Sequence, residues 1–373
     1  VSLVKLGGRA PYVATPDSVA LDLFTGGTFT RSTEGSYLTG PATDGSSAFL
    51  AWAVANARRL EYDTNLPGGT GLLMEGARTN LALRSEAWDV APWALTTGWS
   101  ADVAAPDAVV DANLRSWAAS EIDNQNLAGL ATTTQYTWSF YHRLISGDPA
   151  IRAEMRDFAG NIVTTTTDAA AVWARIERQQ ASATGASTPY VAHRKITNVG
   201  QVAVWGAQME AGFWPTSYVR TAGSSVLRAA DALTYTVTQY PASFRTAGFR
   251  FTWVPLMSSA ELIAGGGPLR MASFNTAQNY LEVLNSGGLI AVRAVEANTP
   301  RVTRTPITFS RFQPITITVR PSAGQITVAG ATTGNGTTTG TPFNWPAGTL
   351  TWGANTGGSG PAMGRFGRFV EAP

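Results

Sequence analysis

Three acidic residues on strand-like segments, Glu154, Asp157 and Glu177, are the first candidates for chemistry. A glycan-cleaving pair needs two carboxyl groups across a cleft, roughly 5–10 Å apart, one holding a proton and one ionised. Each of the three has an arginine within two positions, and charges so spaced ordinarily form a solvated ladder across paired strands. Catalysis by such a pair is therefore not the expectation. With no cysteine and only His142 and His193, thiol nucleophiles and thiolate metal sites are excluded, and a multi-histidine metal site nearly so. There is no GxSxG elbow for a serine nucleophile. The AGGGP run (264–268) lacks the Lys and Ser/Thr that phosphate chemistry needs. The acids Asp231, Glu261, Glu282, Glu296 and Glu371 are too dispersed for a calcium site. The sequence thus reads as a protein without metal, cofactor or enzymatic activity.

Glycan binding asks for less: an exposed ring for the apolar face of a sugar, with Asn, Arg or acids for its hydroxyls. The 12 Trp supply such rings. The candidates are Trp173 with Arg175 and Arg156 in the middle of the chain, and Asn344, Trp345, Trp352 and Asn355 near its end. The competing fate of any one Trp is the core, or burial between subunits.

The elements that must position these residues are strands. Period-two alternation puts Trp138, Phe140 and His142 on one face of YTWSFYHR (136–143) and Thr137, Ser139, Tyr141 and Arg143 on the other. IRAEMRDF (151–158) turns Ile151, Ala153 and Met155 inward, and VWARIERQ (172–179) sets Val172, Ala174 and Ile176 against Trp173, Arg175 and Glu177. FRFTWVPL, YLEVLN, LIAVRAVEA and PITITVRP continue the pattern, and NSGGL (285–289) is a hairpin turn. FLAWAVANARRLEYD (49–63) has helix-forming composition, but its second half reads as a strand. Only 14% of the residues are charged, and 38 Gly and 20 Pro punctuate the chain. The fold class is all-β: two jelly-roll-like β-sandwich domains in tandem after an N-terminal extended segment. The divisions fall at 1–80, 81–222 and 231–373, with TAGSSVLRAAD (221–231) as a linker.

No window is apolar enough for a membrane span, and VSLVKLGGRAPY has no secretory h-region. Membrane insertion is not expected. Residues 231–373 hold ten Arg against five acids, while the whole chain is only +2. The arginines are scattered, without a basic run or a helix to enter a groove, so no nucleic acid is expected. The excess points instead to an acidic polysaccharide.

GLLMEGARTNLAL (71–83) packs Glu75, Arg78 and Asn80 into an apolar run, and VWGAQMEAGFWPTSYVRT (204–221) repeats the Met-Glu pair at Glu210. Together with TFTRSTEGSYL (28–38), these stretches resemble a carbohydrate-binding-like module of tailed-phage and prophage head-spike or tail-fibre proteins, over roughly residues 18–231. The ending GTLTWGANTGGSGPAMGRFGRFVEA (348–372) is similar to a concanavalin A-like, laminin-G-type sandwich. The resemblance implies that Glu75, Arg78 and Asn80, with Glu210, are a structural lock between the N-terminal segment and the sandwich. It places an aliphatic residue where this chain has His142, which implies a core or rim histidine. It further implies a virion-surface protein, made in the host cytoplasm and attached through residues 1–80 to capsid, spike or tail-base proteins. Its sandwiches would bind host cell-surface polysaccharide, as a homo-oligomer with a trimer favoured over a pentamer. The alternatives are a capsule depolymerase and a purely structural decoration or adaptor protein.

Overall fold

In the computed structural model, the residues described are 28–352 and 364–372, apart from 45, 56, 67–68, 95–97, 118–120, 196–199 and 266–267. They are strands almost throughout, and the fold is all-β with sandwich-like sheets. The longest described α-helix is Ser259–Gly265.

The central sandwich pairs two five-stranded antiparallel sheets. One runs Ala174–Ala181, Gln135–Gly147, Gly200–Ala211, Val110–Trp117, Trp99–Ala104; the other runs Ile162–Asp168, Ala150–Arg156, Tyr190–Lys195, Ile122–Asn126, Trp93–Ala94. The alternation read from sequence sets the inner face. Trp138 and Phe140 meet Ile151, Ala153 and Met155 from the facing sheet, with Trp88 and Trp93 stacked at 4.3 Å. His142 points inward with them and is 2% exposed.

The second sandwich has two seven-stranded sheets, and here the structure corrects the sequence reading. Residues 28–74 are not a segment apart. Thr28–Thr30 pairs with Ala232–Tyr235 at the edge of one sheet, and Thr70–Met74 pairs with Gly364–Glu371 in the other, carrying Leu60–Tyr62 beyond it. Phe29, Leu72, Leu73 and Met74 lie in one apolar core with Phe249, Trp253, Ile317 and Val328. The physical reason is burial: the LLM run offers apolar side chains on both faces of its strand, which an isolated extended segment could not hide.

Among its described residues, the 49–63 stretch contains no helix. Leu50–Ala53 and Leu60–Tyr62 are strands, so its first half as well as its second is extended. Leu50–Ala53 pairs with Gly35–Leu38 as a hairpin. Phe49 and Leu50 cap the outer face of the central sheet, where they meet Tyr141, Trp173, Trp205 and Tyr218. The 285–289 turn is a two-residue hairpin loop, Gly287 and Gly288 both at positive φ (63° and 82°), where a Cβ would be strained. The supposed linker also differs from expectation. Val226–Arg228 pairs with Arg78–Asn80, and Arg228 and Asp231 are fully buried.

Candidate functional site

Where the two sandwiches and the hairpin meet, five charged side chains are buried together: Arg31, Arg59, Glu75, Arg228 and Asp231. Arg59 Nη1 donates to Glu75 Oε2 at 2.8 Å and its Nη2 bonds Asp231, while Arg31 Nη1 lies 3.3 Å from Asp231 Oδ1. Arg228 Nη1 is 3.6 Å from Glu75 and 3.8 Å from Asp231. The backbone N–H and Oγ–H of Ser217 also donate to Glu75, at 2.8 and 2.6 Å. Burial alone would raise the Glu75 carboxyl; Arg228, Arg59 and the Ser217 donors overcome it and hold it down at about 2.

Asn80 is buried with its amide fully used. It donates to Ala207 O and Val219 O at 2.9 and 2.7 Å, and accepts from the N–H of Ala82 and Met209 at 3.0 and 2.9 Å. Glu210 accepts from Thr216 N and Oγ1, and burial pushes its carboxyl up. Arg78 stands apart from the buried ion pairs. It is half-buried, and its Nη1 donates to the neighbouring Ala77 O at 3.2 Å. The arginines that meet Glu75 come from positions 59 and 228.

Beside this junction opens a cleft of about 490 Å³. Its walls come from the hairpin (Ser36, Tyr37), the outer face of the central sheet (Tyr141, Arg175, Glu177), the loop at 215–218, and the second sandwich (Arg311, Phe312, Arg365). Strand alternation explains the central wall: Tyr141, Arg175 and Glu177 point away from the core that holds Phe140 and Ile176. Arg175 donates to Thr216 O at 2.6 Å and Ser139 Oγ at 2.8 Å, and its guanidinium lies 5.5 Å from the Tyr141 ring centroid. Arg311 spans the sandwiches, bonding Glu177 on one side and Glu261 on the other, the latter through Nε at 2.8 Å. Arg365 bonds Glu61, reaches Asp63 at 3.1 Å, and sits 5.4 Å from the Phe312 ring.

Phe312 is the unusual member. Its ring is at the cleft, the residue is 44% exposed, and its backbone is left-handed (φ 59°). A large non-glycine residue in that conformation costs of order 1–2 kcal/mol. The turn is held by its N–H donating to Pro255 O at 2.9 Å.

The structure separates the sequence-derived site residues. Trp173 and Arg175 both line the cleft, but Trp173 is 1% exposed because the outer face it lies on is covered by the hairpin. Arg156 is on the other sheet, over the Tyr190 ring at 5.7 Å, and does not join them. Trp345 and Trp352 offer no surface for a sugar: both are core. Trp345 stacks on Phe274 at 4.3 Å and donates to Val295 O at 2.9 Å, and Trp352 packs edge-on to Phe249 and Phe251. Asn344 is exposed, next to these buried rings. Asn355 lies outside the described residues.

The three acids considered for catalysis are also dispersed. Glu154 is buried, accepting from Tyr190 Oη at 2.6 Å with Arg194 at 3.6 Å. Asp157 organises a turn through Asn161, accepting from its backbone N–H at 2.8 Å and its side-chain amide at 3.0 Å. Glu177 alone of the three reaches the cleft.

Sequence reasoning missed Phe312, Arg311, Tyr37 and Arg365. One signal was available: SRFQP (310–314) sets a lone aromatic beside an arginine in a polar turn between strand-like runs.

No protein-family model matches the chain, and no curated protein does. Among solved structures it is similar to "Family 16 Carbohydrate Binding Module-2" (14% identity, 35% of this chain and 99% of that one, TM-score 0.29). It is also similar to the tandem CBM22-1–CBM22-2 domain of Xyn10C from Paenibacillus barcinonensis (10% identity, 79% and 98%, TM-score 0.28). A third similarity is to a structure described as "CBM4 structure and function" (10% identity, 26% and 86%, TM-score 0.20). At such TM-scores nothing about the cleft or its ligand follows from them.

Proposed function

We propose that this chain is a glycan-binding protein whose site is the cleft between the sandwiches. The observation that carries the reading is Phe312, an exposed ring held in a costly backbone conformation at the mouth of a concave site rich in hydroxyl and guanidinium groups. An exposed ring suits the C–H face of a sugar, and a volume within roughly 300–1,000 Å³ suits a short oligosaccharide. The carboxylates lining the cleft, Glu61, Glu75 and Glu177, each accept from an arginine. At Glu75 the arginine contacts hold the carboxyl at about 2, which works against a proton-holding general acid there. Binding without cleavage is therefore the preferred reading over a depolymerase.

The wider setting we propose is a fibre or spike subunit on the surface of a tailed-phage particle, bound to other virion proteins and presented to host polysaccharide. Its support is the sequence resemblance in residues 18–231. In a trimer or pentamer, weak sites would be multiplied by avidity. The test is co-sedimentation of the full chain with host-surface polysaccharide. The expected result is retention of the protein with polymer length unchanged, and loss of retention in Phe312→Ala. Shortened polymer would replace binding by cleavage; full retention of Phe312→Ala would move the site elsewhere.

A further inference from the structure

The charges of the cleft bear on the class of glycan, an inference that rests on the reading of the cleft as a sugar site. Glu61, Glu75 and Glu177 line it, and so do Arg175, Arg311 and Arg365. The groups paired with these keep the same balance. Arg311 also holds Glu261 and Arg365 also holds Asp63, adding two acids. Behind Glu75 stand Arg59 and Arg228, which share Asp231 with Arg31 and add three guanidiniums and one carboxylate. The whole network holds six charges of each sign.

Four further arginines of residues 231–373 are engaged away from the cleft. Arg270 and Arg293 both pair with Glu282, and Arg301 pairs with Glu296. Arg304 donates to the carbonyls of Gly334 and Asn335. The charges that line the cleft and those paired with them therefore balance, with no excess of cations to favour an anion. An anionic sugar drawing Arg311 or Arg365 toward itself would strip a carboxylate of its partner in a partly desolvated place, which opposes binding. What remains for a ligand is chiefly ring surface at Phe312 and Tyr37, since the wall hydroxyls of Ser36, Thr216 and Ser217 already donate to Tyr218 O, Glu210 and Glu75.

We propose that the cleft selects an uncharged glycan and that its affinity is insensitive to salt. This reverses the preference for acidic polysaccharide expected from sequence charge.

The test titrates the full chain with tetrasaccharides of matched length. One set is neutral (hexose and N-acetylhexosamine) and the other carries uronic acids, each at low and high salt. The expected result is that a neutral probe binds, that its uronate counterpart is weaker by about tenfold or more, and that the neutral Kd moves less than about twofold with salt. Phe312→Ala, run in parallel, should weaken the neutral probe. A uronate that binds as well as or better than the neutral probe and is weakened by salt would overturn this selectivity and leave the sugar site standing. Binding of neither class, or wild-type binding in Phe312→Ala, would overturn the sugar site and the selectivity with it.

Discussion

The junction and the cleft are neighbours built from the same chemistry, arginine against carboxylate, and they even share Glu75 and Ser217. At the junction Arg31, Arg59, Arg228, Glu75 and Asp231 are sealed from solvent and directed at one another or at carbonyls such as Ala53 O and Gly76 O. At the cleft, Arg311 and Arg365 keep some exposure, at 20% and 11%, and the ring beside them faces water. Closure decides the role. A buried charge network fixes one arrangement of segments distant in sequence, whereas the open version leaves a surface for something else to complete.

Breaking the closed side should have the largest effect. Asp231→Ala leaves Arg31 and Arg59 without a carboxylate they both bond, and removing one partner of a buried pair costs about 3–5 kcal/mol. Urea denaturation measures it. Arg78→Ala, outside the ion pairs, should shift stability by no more than about 1 kcal/mol; equal losses in the two variants would erase the distinction between them.

Acid should dismantle the molecule in two windows. Burial lowers His142 from its usual 6.5 to about 4. Between those values the unfolded chain binds a proton that the folded one does not, so this contribution is present above 6.5 and is lost as pH falls to about 4. A shift of that size is worth about 3 kcal/mol. Glu75, held at about 2 against a usual 4.5, adds a second loss as pH falls from 4.5 toward 2, with the same sign and a lower window. Melting temperature against pH should therefore show both, and His142→Leu should reduce only the upper one, where buried His193, also lowered by burial, supplies the remainder. A variant that still shows the full upper loss would place it on another group.

The smallest effect on stability, and the sharpest on function, belongs to Phe312. Phe312→Gly relieves a left-handed backbone and should raise stability by up to about 1 kcal/mol while abolishing glycan binding. Thermal melting and glycan titration on the same preparation check it. A variant that is destabilised and still binds would show the ring to be a packing residue.

How much of this could be read from the sequence follows from the range of the forces involved. Alternation is local, so the inward faces of 136–143 and 151–158 were legible to the residue. The outward direction of Trp173 was legible too, since it stands opposite Ile176. Its burial was not, because the cover comes from Phe49 and Leu50, far earlier in the chain. Glu75 and Arg78 are three positions apart, yet Glu75 finds its cations at 59 and 228, because the strand ends at Met74 and Arg78 opens another strand in a different sheet. Trp345 and Trp352 fell within the ordinary fate of Trp, and only the packing against Phe249 and Phe274 shows it.

The second sandwich is assembled from both sides of the central one in the chain, with Thr70–Met74 against Gly364–Glu371. During synthesis the ribosome makes its early strands, then a whole sandwich that can close upon itself, and only then the partners those early strands await. A fragment starting at residue 231 would lack Thr28–Thr30, Leu60–Tyr62 and Thr70–Met74, leaving Gly364–Glu371 as an unpaired edge open to any other strand it meets. Such a fragment should aggregate, and the central sandwich should be the part that survives excision.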